Sequence, residues 1–137
     1  MIISSWNINS VRIRTEIIKN YLVKEKIDIL LLQEIKCQTD QFPFKFFNDL
    51  GYECYVSGQK SYNGVAIISK CKLNNIDIKS FIDPNNQSRF ISADIIIKKK
   101  SAKIICIYLP NGNPIGTEKY LYKKKWLKNF LNFIKKI

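Results

Sequence analysis

The chain has 137 residues, enough for one domain with a buried core, and 46% of its residues are apolar. No apolar run reaches the length of a membrane span, and the start of the chain lacks the charged and apolar leader of a signal peptide. The four cysteines are widely spaced and histidine is absent, which favours free thiols in a reducing cytoplasm over a zinc site or a disulfide framework.

The formal net charge of +12 is compatible with binding to a polyanion such as nucleic acid. The cations are almost all lysines, and the arginines are only Arg12, Arg14 and Arg89. Because the chain is also rich in Ile and Asn, the lysines equally fit the residue usage of an AT-rich genome. The charge alone therefore does not establish nucleic-acid binding.

The first part of the chain predicts a strand, a helix and a second strand. Residues 2–8 form an apolar run that is typical of a buried strand. Asn9 and Ser10 offer an N-cap, and apolar residues follow at helical spacing: Val11, Ile17, Ile18, Tyr21 and Leu22. Residues 27–33 predict a buried strand parallel to the first. This order is the start of an α/β unit.

The middle of the chain predicts a short helix and then several strands. Phe42 and Pro43 open an aromatic helix that ends at Gly51, a residue suited to the left-handed C-terminal position. Strands are predicted over residues 54–57, 65–69, 73–80 and 90–97, with turn-forming residues between them. In the last strand Ser92 and Asp94 alternate with apolar residues, which predicts one exposed face.

The C-terminal part predicts a hairpin and a helix. Residues 98–101 read as a turn and residues 103–109 as a strand. Thr117 caps a helix, with Trp126 and Leu127 in the core, and its apolar face is Tyr120, Leu121, Leu127, Phe130, Leu131 and Ile134. The chain stops within this helix and strands outnumber helices. We therefore expect one sheet face without a partner, as in a missing domain half or an oligomer.

Polar residues stand where the first two predicted strands end. Asn7 closes the first strand and Glu34 follows the second. If these strands are parallel neighbours, both residues lie on one rim, where open α/β sheets build their sites. A carboxylate beside a carboxamide supplies the oxygen ligands that Mg²⁺ prefers. The pattern alone leaves a turn or cap residue open for Asn7, and a solvated loop acid for Glu34.

Five segments in order resemble the signatures of the exonuclease III family, the bacterial class II abasic-site endonucleases of the endonuclease/exonuclease/phosphatase superfamily. They are residues 5–12 (SWNINSVR), 32–36 (LQEIK), 58–66 (GQKSYNGVA), 88–91 (SRFI) and 108–120 (YLPNGNPIGTEKY). Five ordered signatures are specific, and the resemblance runs from about residue 2 to the chain end. It implies half of a four-layer α/β sandwich, with a mixed β-sheet and flanking helices, in a single C-terminally truncated domain over residues 1–137.

The resemblance implies a role for each matching residue at the rim. Glu34 is expected to bind the catalytic Mg²⁺ or Mn²⁺, with Asn7 in the same network of metal and water. Tyr108 is expected to donate a hydrogen bond to the scissile phosphate. Without its Pro110-Asn111-Gly112 context, Tyr108 would be read as a packing residue at the end of a strand.

The resemblance also implies a DNA-facing surface. Lys60, Tyr62 and Asn63 are expected to approach the groove near the lesion, although Lys60 alone could be a solvated loop charge. Arg89 and Asn111 are expected on the DNA-facing rim, where they contact the DNA backbone or support that surface.

The implied activity is metal-dependent hydrolysis of the phosphodiester 5′ to an abasic site in double-stranded DNA, with 3′-to-5′ exonuclease activity. The chain departs from the family at the acid–base groups: it has no histidine, and Glu118 is the only acid after Tyr108. The family's later Gly-Asp-x-Asn and Ser-Asp-His signatures have no counterpart. Because the reaction needs a base and an acid, we expect little incision by this chain alone.

Three other interpretations stay open. The chain is a non-catalytic DNA-binding remnant, a half-protein that needs a complementary partner or self-association, or a superfamily phosphatase acting on a small molecule or lipid. Salt-sensitive binding of duplex DNA without cleavage is typical of the first. Residues 111–120 and the Gly-Gln-Lys loop at residues 58–60 favour the DNA-repair branch over the phosphatase. No association with a membrane is expected.

Overall fold

Strands and helices follow one another in the order that the sequence predicts. The computed structural model describes all residues from Met1 to Ile137. The elements are β1 (Ile3–Asn7), α1 (Thr15–Lys24), β2 (Ile29–Gln33), α2 (Phe44–Asn48), β3 (Glu53–Ser57), β4 (Val65–Ser69), β5 (Asn74–Asp77), β6 (Phe90–Ile97), β7 (Lys100–Ile107) and α3 (Glu118–Ile134). None of the helices has the length and apolar character needed to cross a membrane.

The strands form two sheets. The first is mixed and has the order β1-β2-β4-β3, and the second is antiparallel with the order β5-β6-β7. β1 and β2 are parallel neighbours, with Asn7 opposite Gln33, so the predicted parallel pair is confirmed. Because parallel strands end on the same side of a sheet, the residues that follow β1 and β2 meet at one rim.

Three apolar clusters define four layers. Side chains alternate along β2, so Leu30 and Leu32 pack with α1 and α2 whereas Ile29 packs with the second sheet. A third cluster, centred on Phe90 and Trp126, joins the second sheet to α3. The order is therefore helices, sheet, sheet, helix, which confirms the predicted α/β sandwich layers. All four cysteines are free thiols, as expected.

The first helix begins later than predicted. α1 starts at Thr15, and the predicted N-cap residues Asn9 and Ser10 have φ values of 46° and 83°. An N-cap residue normally has an extended backbone, which these left-handed residues do not have. The N–H of Ser10 instead donates to the carbonyl of Glu34 at 2.8 Å, so this segment belongs to the rim.

The short aromatic helix ends as predicted but is shorter. α2 covers only Phe44–Asn48, and Gly51 follows with a φ of 83°. The N–H of Gly51 donates to the carbonyl of Asn48, and that of Tyr52 to the carbonyl of Phe47. These two bonds form a Schellman motif, which confirms Gly51 as the left-handed terminator.

Two strand predictions need correction. The hairpin turn before β7 contains only Lys98 and Lys99, with φ values of 48° and 66°, because a two-residue turn with two left-handed residues matches the twist of the strands. β7 therefore begins at Lys100. β5 ends at Asp77 rather than at Ser80, because the Asp77 carboxylate accepts the N–H groups of the two residues that follow Ile78.

The predicted exposed face of β6 is also shorter than expected. Ser92 is only 1% exposed, because α3 covers the end of the second sheet around Phe90. Ile96, at the other end of the same face, is exposed.

The predicted apolar face of the last helix is wrong in most of its members. α3 packs against Phe81 and Phe90 through a stripe of aromatic residues, Tyr122, Trp126, Phe130 and Phe133. Trp126 is in the core as predicted, but Leu127 is 43% exposed. The helix has apolar residues on two sides, and the larger aromatic side is the one that is buried. Leu121 and Leu131 remain exposed on the outward side.

We expected one sheet face without a partner, but neither sheet has a completely uncovered outer face. Both sheets carry helices on their outer faces, because α1 and α2 cover the first sheet and α3 covers part of the second. Apolar exposure lies instead on the outward side of α3 and at β1, an edge strand in which Ile3 is exposed. Self-association stays a prediction.

Candidate active site

Backbone hydrogen bonds connect the ends of β1 and β2. The N–H of Ile8 donates to the carbonyl of Gln33 at 3.0 Å, and that of Ser10 donates to the carbonyl of Glu34 at 2.8 Å. These bonds continue the parallel ladder past the last residues of the strands. The first two signature segments therefore form one continuous rim.

The other three signature segments extend the same rim. The N–H of Ile35 donates to the carbonyl of Gly64, and the N–H of Gly64 donates to the carbonyl of Ser88 at 2.9 Å. The N–H of Tyr108 donates to the carbonyl of Arg89 at 2.9 Å. All five segments are thus joined in chain order by backbone hydrogen bonds, although as many as 74 residues separate Glu34 and Tyr108.

Close backbone packing fixes the loop between β3 and β4 at this rim. The N–H of Gln59 donates to the carbonyl of Cys37 at 3.0 Å. A Cβ at Gly58 would overlap this carbonyl and the backbone nitrogen of Thr39. Glycine at position 58 therefore allows the loop to approach the segment that follows Glu34.

The rim contains a concentration of left-handed residues other than glycine. Glu34 and Lys36 have φ values of 53° and 52°, and the same conformation occurs at Asn9, Ser10 and Asn63. Such residues each cost about 1–3 kcal/mol and persist only where the surrounding structure holds them. At Glu34 the left-handed backbone ends the alternation of β2 and brings the carboxylate toward β1 and β7.

The Glu34 carboxylate is the centre of the site. Its Oε1 accepts hydrogen bonds from Asn7 Nδ2 at 2.9 Å and from the Tyr108 hydroxyl at 2.6 Å. Its Oε2 lies 3.4 Å from the ammonium of Lys36, which also donates to Asn9 Oδ1 at 2.6 Å. The structure therefore brings together the three residues that the sequence predicts at the rim, and adds Lys36 and Asn9.

The environment shifts the pKa values of the two central groups in opposite directions. Partial burial raises the pKa of Glu34, but the hydrogen bonds from Tyr108, Asn7 and Lys36 outweigh it, so that the pKa lies below its usual value. Burial raises the pKa of Tyr108, and the adjacent Glu34 carboxylate raises it further. At neutral pH the pair is a carboxylate and a neutral phenol.

Arg89 lies behind Tyr108, beneath the surface. It is only 8% exposed, and its guanidinium carbon is 4.5 Å from the centre of the Tyr108 ring. Its Nη1 donates to the Tyr108 carbonyl at 3.2 Å and its Nε to Gln87 Oε1 at 2.8 Å. The guanidinium therefore holds both the ring and the backbone of Tyr108.

A buried acid completes this second polar cluster. Asp83 is 5% exposed, and its Oδ2 lies 4.0 Å from Arg89 Nε and accepts the Tyr122 hydroxyl at 2.7 Å. Burial raises the pKa of Tyr122, and Asp83 raises it further. Asp83 lies among the turn-forming residues that the sequence predicts before β6, and its carboxylate does accept the N–H groups of Asn85 and Gln87, but its pairing with Arg89 and Tyr122 was not predicted. The one available signal was Arg89, an arginine in a lysine-rich chain.

The residues predicted to face DNA divide into two groups. Lys60, Tyr62 and Asn111 are exposed on loops beside the rim. Asn63 is buried and its side-chain amide donates to Gln59 Oε1 at 3.2 Å, while Arg89 is buried behind Tyr108. The last two are therefore placed to support the surface rather than to form it.

The donor set fits a hydrated divalent cation. Glu34 is the carboxylate of the rim, and the structure contains no group of three or more His, Cys, Asp and Glu side chains arranged around one point. Mg²⁺ is commonly held by one or two carboxylates together with water and substrate phosphates, and does not require an all-protein cage. Glu34, with the Asn7 carboxamide beside it, matches this kind of site.

The layers and this rim define a family of phosphoester-cleaving enzymes: the chain belongs to the endonuclease/exonuclease/phosphatase family, whose sequence profile matches residues 4–123. The family is generally dependent on a divalent metal. The chain is 31% identical to exodeoxyribonuclease III of Haemophilus influenzae, over 96% of this chain and 50% of the relative. It is 27% identical to an exodeoxyribonuclease of Bacillus subtilis, over 95% of this chain and 50% of the relative. The chain spans about half the length of these curated relatives.

Solved structures agree with these sequence relatives. A 3′-5′ exonuclease from Neisseria meningitidis has a TM-score of 0.88 at 33% identity, covering 98% of this chain and 51% of that one. An AP endonuclease from Archaeoglobus fulgidus has a TM-score of 0.88 at 35% identity, covering 99% and 52%. A 3′ phosphatase from Neisseria bound to a product DNA hairpin has a TM-score of 0.86 at 34% identity, covering 96% and 50%. The predicted likeness to exonuclease III-type nucleases and the predicted half-sandwich fold are confirmed.

Proposed function

We propose that this chain forms one wall of a metal-dependent DNA nuclease site of the exonuclease III type. The observation that carries the proposal is the hydrogen-bonded set of Glu34, Asn7 and Tyr108 on a rim built by all five signature segments. The reaction is hydrolysis of the phosphodiester 5′ to an abasic site in double-stranded DNA, with 3′-to-5′ exonuclease activity. Relatives named exodeoxyribonuclease and AP endonuclease support this assignment.

Glu34 and Asn7 are the residues that hold Mg²⁺ or Mn²⁺ in this proposal. When bound, the ion neutralises charge on the phosphate. The lowered pKa keeps Glu34 ionised at neutral pH, which a ligand for a hard cation requires. Asn7 holds the carboxylate in place through its side-chain amide.

Tyr108 is the hydrogen-bond donor to the phosphate in this proposal. Its raised pKa keeps the phenol protonated at neutral pH, so it can donate to an oxygen that gains negative charge. In the free chain its single proton is directed at Glu34. On substrate binding the hydroxyl turns from Glu34 to the phosphate, while Arg89 keeps the ring in place.

Duplex DNA lies across the exposed loops beside the rim. Lys60, Tyr62 and Asn111 contact it, and the net charge of +12 favours such a polyanion. Asn63 and Arg89 support these loops from below. The Neisseria 3′ phosphatase bound to a DNA hairpin supports DNA as the class of substrate.

DNA binding without hydrolysis is a second candidate function for the chain by itself. The specific observation is the lack of proton-transfer groups: the chain has no histidine, and Glu34 is a weak base because its pKa is lowered. A complementary polypeptide would then supply the missing base and acid. The two candidates differ in cleavage, but both require the rim to bind DNA.

The test combines cation binding, DNA binding and cleavage. Binding of Mn²⁺ to the 137-residue chain is followed by electron paramagnetic resonance, and a duplex oligonucleotide with one abasic-site analogue is assayed with Mg²⁺ and with chelator. We expect Glu34→Gln to weaken Mn²⁺ binding by on the order of tenfold or more. We expect salt-sensitive DNA binding and little incision.

A matched control is Glu25→Gln, because Glu25 also pairs with a lysine, at 3.9 Å from Lys24, but lies away from the rim. It should leave Mn²⁺ binding unchanged. Equal Mn²⁺ binding by wild type and Glu34→Gln would contradict the metal site. Robust nicking that chelator and Glu34→Gln both abolish would instead contradict the expectation of little incision by the chain alone.

A further inference from the structure

Lys36 is positioned by the same backbone that positions Glu34. Both residues are left-handed, and Ile35 between them is completely buried. The N–H of Ile35 donates to the carbonyl of Gly64, and that of Lys36 donates to the carbonyl of Asn63 at 3.0 Å. The buried Ile35 therefore anchors two neighbouring side chains of opposite charge at the rim.

The ammonium of Lys36 occupies one side of the Glu34 carboxylate. Asn7 and Tyr108 both donate to Oε1, whereas Lys36 lies 3.4 Å from Oε2. Asn9 Oδ1 accepts from the same ammonium at 2.6 Å and keeps it at this position. The lysine side chain is only 32% exposed, so it is a fixed part of the rim and not a freely solvated charge.

We propose that Lys36 is the resident counter-ion of Glu34, which a divalent cation must displace in order to bind. This inference rests on the proposed metal site at Glu34. A tethered ammonium beside the carboxylate opposes any incoming cation through charge repulsion. Lys36 thereby lowers the affinity of the site for all cations and leaves only those of higher charge able to compete.

The physical consequence is selectivity by charge. A monovalent ion such as K⁺ gains no more from Glu34 than the ammonium already does, and the ammonium has the advantage of being tethered. A divalent ion interacts about twice as strongly with the same carboxylate. After displacement Asn9 still accepts a hydrogen bond from Lys36, so the lysine stays beside the rim and is available to a phosphate oxygen.

The test measures cation affinity in the absence of DNA. Mn²⁺ binding to the 137-residue chain is compared for wild type, Lys36→Met, which removes the charge, and Lys36→Arg, which keeps it. We expect Lys36→Met to bind Mn²⁺ on the order of tenfold more tightly and to become sensitive to added K⁺. Lys36→Arg should resemble wild type. Lys24→Met is the matched control, since Lys24 also lies near a glutamate, and it should have no effect.

The outcomes separate this inference from the proposed function. If Glu34→Gln loses Mn²⁺ binding while Lys36→Met keeps the wild-type affinity or binds more weakly, only the role of Lys36 is overturned. If Glu34→Gln binds Mn²⁺ as wild type does, both the metal site and the inference are overturned. The double variant Glu34→Gln/Lys36→Met should bind no better than Glu34→Gln.

A second measurement does not depend on the folding of a variant. The Cε resonance of Lys36 in wild type, observed by NMR during addition of Mg²⁺, should shift as the ammonium leaves the carboxylate. The Cε resonance of Lys24 should not shift. A Lys36 resonance that stays unchanged when the site is saturated with Mg²⁺ would overturn displacement.

Discussion

Tyr108 lies between two polar regions that are built in different ways. The Glu34 rim has left-handed backbone and partly exposed side chains, and Glu34 Oε2 lies beside the ammonium of Lys36 at 3.4 Å. The cluster of Asp83, Arg89 and Tyr122 is nearly buried, and its charges are paired with each other. The rim is thus open to a ligand, whereas the cluster is closed. The two regions therefore have different tasks. Glu34 must exchange its partner to bind a ligand, whereas the cluster around Arg89 must keep its partners in order to hold Tyr108 in place.

The contrast has an energetic reason. A buried arginine is tolerated only when its charge and hydrogen bonds are compensated, which Asp83, Gln87 and the Tyr108 carbonyl provide. Once compensated, it is rigid, because any movement would leave a charge unpaired in a poorly solvated place. Glu34 has no such constraint, since water can replace Lys36 at its Oε2.

The largest expected effect is therefore the loss of the buried cluster. Arg89→Met removes the charge partner of the buried Asp83, which keeps only hydrogen bonds from neutral groups. It also removes the hydrogen bonds to Gln87 and to the Tyr108 carbonyl, and should lower the free energy of unfolding by about 3–5 kcal/mol. Denaturant unfolding measures this difference. Arg12→Met, which changes an exposed arginine, should stay within about 0.5 kcal/mol of wild type. A loss below about 1 kcal/mol for Arg89→Met would show that the cluster does not provide the support.

A smaller effect is expected from the link between this cluster and α3. Tyr122→Phe keeps the aromatic packing but removes the hydrogen bond to Asp83, so the free energy of unfolding should fall by about 1.5–3 kcal/mol. Tyr120→Phe is the control on the same helix, because no hydrogen bond involves the Tyr120 hydroxyl. Equal stability of the two variants would mean that Tyr122 contributes only packing.

The contribution of Glu34 to the free energy of unfolding should depend on pH. Burial raises the pKa of Glu34, but its hydrogen bonds lower it further, so the folded pKa lies below the usual 4.5. The stabilisation by the ionised group is complete above that value and is lost as pH falls through the folded pKa. The difference in unfolding free energy between wild type and Glu34→Gln should therefore shrink below about pH 4.5. A difference that is constant from pH 7 to pH 3 would contradict this environment.

Sequence patterns predicted the rim better than the cluster, for a physical reason. Local apolar runs predict the bounds of β4 and β6 and the parallel pair β1–β2. Asn7 and Glu34 stand where β1 and β2 end. The cluster depends instead on contacts across the chain, such as the 39 residues between Asp83 and Tyr122, which no local period encodes. The packing face of α3 was missed for a related reason, because a helix with two apolar sides has no unique face until its partner is known.

The left-handed backbone of the rim could not be predicted from the sequence patterns. Relieving its strain gives the smallest change in stability that we predict. Ser10 has a φ of 83°, where a side chain is disfavoured, and its side chain makes no hydrogen bond. Ser10→Gly should relieve this strain, although the greater freedom of glycine in the unfolded chain offsets part of the gain. The net effect should be a rise in the free energy of unfolding of about 0.5–1 kcal/mol. Ser10→Ala keeps the Cβ and should bring no gain. Since the Ser10 N–H donates to the Glu34 carbonyl, Mn²⁺ binding by Ser10→Gly should match wild type if the strain only holds the backbone. A stabilised variant with weakened Mn²⁺ binding would show instead that the strain at Ser10 positions Glu34.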